Sequence, residues 1–189
     1  MPSPVGHALG GAIVGLVCEG RRAGGGAAAA RLRSALASPL VRAGAIAGVL
    51  PDVDFLWGRH NMETHSLGAA VAAALVAWLW WRGRARLALT VGLAWASHVL
   101  FDWLGSDDTA PLGVMALWPL TSTFHFAHAY VFEAISRRYW LDGFLRHNLW
   151  AVTTEVLMLA PVLAAVPGAG SPRAADAPPA RARCTRERG

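Results

Sequence analysis

Charge is scarce in this sequence. Only 15% of its 189 residues are Asp, Glu, Lys or Arg, while 54% are hydrophobic; ordinary domains run at about a quarter charged. That shortage of polar surface, together with several long apolar runs, argues against a water-soluble globule and for a small multi-helix membrane protein. Lysine is missing altogether, and all 17 basic residues are arginine. The arginines stand in clusters between apolar runs, as flanks of membrane segments do. They form no stripe with interleaved aromatics, so no nucleic-acid partner is expected. Cys18 and Cys184 are the only cysteines. Two cysteines without CxxC spacing supply no disulfide framework and leave the redox compartment open. Met1 to Pro4 has no basic n-region, so a signal peptide is not expected. No internal repeat is visible.

What is present is a series of apolar runs with ionisable residues near their ends. Pro4 to Val17 is Gly-rich and helical in pattern, with Pro4 suited to a first turn. Gly6, Gly10 and Gly11 would admit a neighbouring helix closely, and His7 is the ionisable group inside the run. An Arg-rich connector follows from Glu19 to Ser38, with a short helix expected at Ala27 to Ala37. Pro39 to Leu50 is too short to cross a hydrocarbon core of about 30 Å at about 1.5 Å per residue. Pro51-Asp52-Val53-Asp54 then reads as a turn at its C-terminal end. Its two carboxylates suit one metal or a bridge between two; a solvated turn with Asp52 capping a short helix is the plainer reading.

His60 and Thr64-His65-Ser66 come next, with Thr64 or Ser66 as the expected cap of the following helix. Leu67 to Trp81 is strongly apolar and ends in Trp78, Trp80 and Trp81 before Arg82, Arg84 and Arg86, an interfacial anchor. Leu87 to Leu104 carries His98 and Asp102 four residues apart, hence on one helical face. Gly105 to Thr123 reads as a loop. Phe124 to Tyr139 reads as an amphipathic segment near the interface, where His125, His128 and Glu133 are more simply interfacial than ligating. Asn148 to Val166 is the last apolar run, and the role of Glu155 inside it is open. Residues 167–189 are rich in Pro, Ala and Arg and expected to be disordered.

If the runs alternate in direction, His7, Asp52, Asp54, His65, His98 and Asp102 gather at one end and the Arg clusters at the other. Three imidazoles and three carboxylates form a nitrogen and oxygen set suited to zinc, manganese or iron, with ligands enough for one or two ions. Such a centre supports hydrolysis by metal-activated water. His7, Asp54, His65, His98 and Asp102 are the leading ligand candidates. Asp52 is a bridging ligand or orients a ligand or water, and His60 stands behind the ligands or faces substrate.

At these residues the sequence resembles the YdjM-type family of predicted membrane-bound metal-dependent hydrolases. The matching pieces are His7, Leu50-Pro51-Asp52-Val53-Asp54, His60, Thr64-His65-Ser66, Ser97-His98 with Asp102, and Trp118-Pro119, in order over roughly residues 4–120. Asn61 departs from the pattern, where the family often has Arg after the first His; that bears on binding a substrate anion rather than on the ligands. The order of ligand types is also similar to that of the zinc-dependent phospholipase C and single-strand nuclease group, which is all-helical and cleaves phosphate esters.

The expectation is therefore an all-α integral membrane bundle of four to five apolar helices, with residues 1–166 as the membrane-embedded hydrolase domain and 167–189 as a tail. The expected cofactor is a divalent metal, zinc foremost, and the substrate a small-molecule or lipid phosphoester taken at the bilayer. The alternative is a metal-binding transporter or sensor without hydrolase activity. A multi-pass inner-membrane location is expected. The clusters at Arg21, Arg22, Arg31, Arg33, Arg42 and at Arg82, Arg84, Arg86 put the metal end on the non-cytoplasmic face; Arg137, Arg138 and Arg146 count the other way.

Overall fold

The structure, a computed structural model, describes residues 1–20, 33–34, 36–58, 60–107 and 110–166. The tail at 167–189, most of the helix expected at 27–37, and Arg21, Arg22 and Arg31 lie outside the described residues. The helices that can be followed end to end among the described residues are α1 Pro4–Glu19, α2 Pro39–Val49, a 3₁₀ helix Leu50–Trp57, α3 Leu67–Trp80, α4 Ala85–Trp103 and α5 Phe144–Ala165. There is no strand among the described residues, only isolated bridges between Gly105 and Phe132 and between Val114 and His125.

Local signals set the helix starts. Ser3, Ser38 and Ser66 each accept a hydrogen bond from a first-turn amide, those of Gly6, Val41 and Ala69, satisfying donors that have no partner inside the helix. Pro4 and Pro39 occupy first-turn positions where a missing N–H costs nothing. Pro51 does not end helicity as a turn would. It sits at the start of the 3₁₀ helix, and the chain tightens rather than breaks.

Helices α1 and α2 pack backbone to backbone. A Cβ on Gly11 would run into the carbonyl of Gly44, one on Gly15 would lie 2.6 Å from the Leu40 carbonyl and the Val41 Cα, and one on Gly48 would meet the His7 carbonyl. Gly11 and Gly15 on one helix, and Gly44 and Gly48 on the other, form the small-residue seam that lets two helices touch. Of the other glycines in α1, Gly10 faces Phe101 of α4 and Gly6 faces Glu155 of α5. Helix α4 lies against α1, α2 and α3, and α5 runs along α1. Ala12, Leu16 and Val41 form the buried apolar cluster.

Burial departs from that of a soluble protein in its share of buried polar groups and of exposed large apolar ones. The fully buried side chains include His7, His65, His98, Glu155, Thr90, Asp54 and Ser66, while Val71 is 69% exposed, Leu79 62% and Leu157 68%. Polar groups inside and apolar ones outside suit a hydrocarbon surround. The expected four to five spans are not all supported by length. Among the described residues, only α5, at 22 residues, is both long and apolar enough to cross a membrane. The apolar helices α1 and α3, of 16 and 14 residues, reach about 24 and 21 Å at about 1.5 Å per residue. Helix α4 has 19 residues but carries Arg86, His98 and Asp102.

The segment read as amphipathic at Phe124 to Tyr139 is irregular and forms no helix. Its amides pair outward instead of along a helix: His125 with Val114, Ala127 with Trp103, Val131 with Leu104, Ile135 with Met1. These bonds fold the long stretch between α4 and α5 over the end of the bundle where α4 finishes.

Candidate metal centre

The order of the runs brings His7, Asp52, His65, His98 and Asp102 to one point. Asp102 Oδ1 is 3.2 Å from His7 Nε2, and its Oδ2 is 3.3 Å from His65 Nε2 and 3.0 Å from His98 Nε2. Asp52 Oδ1 is 3.6 Å from His65 Nε2 and 3.7 Å from His98 Nε2. The His7 and His98 rings stack at 3.7 Å. The side chains of His7, His65, His98 and Asp102 are fully buried, and that of Asp52 is 13% exposed.

The outer faces of two of these imidazoles are pinned. His98 Nδ1 donates to the Gly48 carbonyl at 2.7 Å. In the 3₁₀ register that carbonyl would pair with Pro51, which has no N–H. His65 Nδ1 lies 3.1 Å from Asp54 Oδ2 and donates to it. With each Nδ1 carrying the proton, each Nε2 turns its lone pair inward. Asp54 has no oxygen to spare for the centre. Its Oδ1 accepts from His60 Nδ1 at 2.8 Å, and its Oδ2 accepts from the Thr64 hydroxyl at 2.6 Å as well as from His65. Burial alone would raise the Asp54 carboxyl, but the hydrogen bonds from His60, His65 and Thr64 hold it well below the usual carboxylate range. Asp54, a leading candidate in the sequence, thus stands behind His65, and Asp52 takes the position in front.

The loop carrying His65 is locked at every residue that matters. Thr64 gives its hydroxyl to Asp54 and its carbonyl to Trp95 Nε1 at 2.7 Å. Ser66 Oγ donates to the Glu63 carbonyl and caps α3. His7 is held by a longer chain of contacts. Glu155 accepts from the Ser3 amide at 2.7 Å and from the Ser3 hydroxyl, and Ser3 caps the helix that carries His7. Glu155, open in the sequence, is a buried tether for the start of α1. Gly48, Trp95 and Ser3 gave no signal in the sequence, because they act through backbone groups or at a distance in the chain. Thr64 gave one only as a cap.

His60 stacks on Phe55 at 3.7 Å and has its Nδ1 on Asp54. His125 pairs through its backbone with Val114, and His128 lies against Phe126. Neither of the last two is among the atoms that meet at the centre.

The meeting atoms lack ordinary partners. His7 Nε2, His65 Nε2, His98 Nε2, Asp52 Oδ1 and both oxygens of Asp102 are buried without a hydrogen bond. Buried polar atoms are normally satisfied. Lone pairs aimed at carboxylate oxygens repel one another unless a metal ion or protons lie among them, and a single ion would serve all of these atoms at once. A tetrahedral ion bound at about 2.0–2.1 Å spaces its ligands about 3.3 Å apart, and the contacts around Asp102 run from 3.0 to 3.3 Å. Two groups of three have donor atoms within 4.8 Å of one another: His7, His98 and Asp102, and Asp52, His60 and His65. These residues fit a metal ion.

Neither the curated proteins nor the solved structures contain a match to this chain. A family model described as YdjM inner membrane protein matches residues 1–170. The long apolar helix, the many exposed apolar side chains and this match agree, and the chain belongs to the YdjM inner membrane protein family.

Proposed function

We propose that the protein is a membrane-bound, metal-dependent hydrolase of phosphate esters. The observation that carries the reading is the set of buried, unpartnered imidazole nitrogens and carboxylate oxygens facing one another at ligand spacing. His7, His65, His98 and Asp102 would hold one divalent ion, zinc foremost, with Asp52 completing that set; with two ions bound, His7, His98 and Asp102 would hold one and Asp52, His60 and His65 the other. When bound, such an ion makes hydroxide available near neutral pH and steadies charge on the phosphoryl oxygens.

The chain's own residues supply the rest. Asp54 and the Gly48 carbonyl keep His65 and His98 in the tautomer that presents Nε2. Asp52 is the acid of the set that reaches the adjoining cavity, so it holds the attacking water and accepts its proton. The water oxygen bonds to phosphorus, the ester oxygen departs, and the proton held by Asp52 passes to the departing alkoxide. Helices α1, α3 and α4 would cross or enter the bilayer beside α5 with their exposed apolar faces in lipid. Arg82, Arg84 and Arg86, at the far end of α3, would put the centre on the non-cytoplasmic face. A transporter reading would want its ionisable groups near the membrane midplane; here they stand at helix ends and in the loop before α3.

Protein purified in detergent is expected to carry about one or two equivalents of divalent metal by elemental analysis, and to cleave a phosphomonoester or phosphodiester reporter only when loaded. Metal without hydrolysis across a broad ester panel would favour the transporter or sensor. No metal at all would sink both.

Metal uptake is also expected to depend on pH in a set direction. Burial alone would lower the His65 pKa, but the Asp52, Asp54 and Asp102 carboxylates that face its ring raise it to about 9. Below that value the metal-free ring carries an extra proton, which a metal must displace. Affinity should therefore rise about tenfold per pH unit through neutrality and level off above pH 9 or so. Titrations with a buffered metal indicator would show it, and a pH-independent affinity would remove His65 from the ligand set.

A further inference from the structure

Beside the centre lies a cavity of about 170 Å³, lined by Asp52, Phe55, Asp107, Ile135 and Arg137 among others. Pockets that hold whole drug-sized molecules run from about 300 to 1,000 Å³, so this one admits only the polar end of a substrate. Arg137 is the cationic side chain of its lining. The guanidinium carbon sits 4.7 Å above the centre of the Phe55 ring, whose other neighbour is the stacked ring of His60. Stacking on an aromatic face fixes the plane of an arginine while leaving its N–H groups free to donate. Arg137 makes no ion pair among the described residues. The two acids of the lining are engaged elsewhere: Asp52 Oδ1 faces His65 and His98, and Asp107 accepts from the Gly113 amide at 3.0 Å and from Asn61. Exposed apolar residues follow two of the lining residues in the chain, Leu56 and Trp57 after Phe55, and Tyr139, Trp140 and Leu141 after Arg137. Exposed aromatic residues of a membrane protein favour the headgroup level of a bilayer.

Building on the hydrolase reading, we propose that Arg137, held over Phe55 at the cavity that Asp52 reaches, grips the phosphate group of the substrate, and that this group is presented as a headgroup from the membrane interface. Arginine suits a phosphate because its fork donates two parallel hydrogen bonds. The residue lies far along the chain from the His and Asp motifs, in the irregular stretch between α4 and α5. It is exposed, so replacing it leaves the core intact.

The test uses the full chain in detergent, with metal content measured on every sample. Binding of inorganic phosphate and of a micellar short-chain phosphatidic acid is followed by calorimetry. Arg137→Gln should weaken binding by roughly ten- to a hundredfold at unchanged metal content, as loss of a charge-assisted hydrogen bond does. Arg137→Lys should recover part of it, since it keeps the charge and loses the fork. A loss in both arms means that the phosphate group suffices; a loss in the lipid arm alone means that Arg137 reads a phosphate only as part of a lipid. Wild-type affinity for both probes in a metal-loaded Arg137→Gln protein would overturn the proposal and leave the hydrolase reading standing, as would a loaded wild type that binds neither. A wild type without metal would instead remove the reading on which the proposal rests.

Discussion

An Asp102→Asn protein is expected to purify folded and without bound metal. Asp102 is the hub of the centre: its oxygens lie 3.0 to 3.3 Å from the Nε2 atoms of His7, His65 and His98. Asparagine has the same shape, so α4 keeps its packing. It has lost the charge, however, and one of its two terminal atoms has become an amide nitrogen that donates and does not ligate. That NH₂ would point at a lone pair of one imidazole, which satisfies the metal-free state and removes the reason for a cation to enter. The drop in metal affinity should exceed the roughly 10- to 100-fold typical of losing a group behind a ligand. Elemental analysis gives the metal ratio, and far-UV circular dichroism reports whether the helices persist. Wild-type metal content in this variant would show that Asp102 is not a ligand and that the buried network is held by protons alone.

For Asp54→Asn the expected loss is graded rather than complete. The carboxylate accepts from His60 Nδ1, Thr64 Oγ1 and His65 Nδ1. An asparagine can offer only one acceptor oxygen there. Its NH₂ must face either His60 or His65, and a donor facing His65 Nδ1 drives the ring into the tautomer with hydrogen on Nε2. That form cannot bind metal. Metal affinity should fall about 10- to 100-fold, with occupancy recovered at high metal concentration. The contrast with Asp102→Asn is the informative part. Recovery by added metal fits a residue that positions His65. A loss as complete as that of Asp102→Asn would make Asp54 a ligand itself, and an unchanged affinity would show that the His65 tautomer is set by the Thr64 hydroxyl, which lies 3.0 Å from His65 Nδ1.

The residue types of the centre were legible because they break the pattern around them. His7, His65, His98 and Asp102 are ionisable groups at the edges of apolar runs, where burial needs a partner. Simple alternation of the runs placed them together. The seam between α1 and α2 was legible only in part. Gly11 was in view, but Gly15, Gly44 and Gly48 emerge as its partners only when the helices meet. The stretch between α4 and α5 was not legible. Its backbone groups bond to Val114, Leu104 and Trp103 at irregular offsets, so no period in the sequence announces the path that brings Arg137 to the cavity.

Sequence alone, then, determined an all-helical chain with a His and Asp cluster at one end of its helices, since the cap at Thr64 or Ser66, the apolar runs and the four-residue spacing of His98 and Asp102 are local properties. Tertiary structure decided the division of labour between Asp52 and Asp54. The two are separated by one residue, and the motif is equally acid-rich read as a turn or as a helix. In a 3₁₀ helix each residue advances about 120°, so these side chains leave the axis about 120° apart. One then faces His65 and His98 on the inner side, and the other faces His60, Thr64 and the outer nitrogen of His65. Which acid takes which side depends on the angle at which the 3₁₀ helix leaves α2, and the glycine seam with α1 and the His98 bond to the Gly48 carbonyl anchor that end of α2.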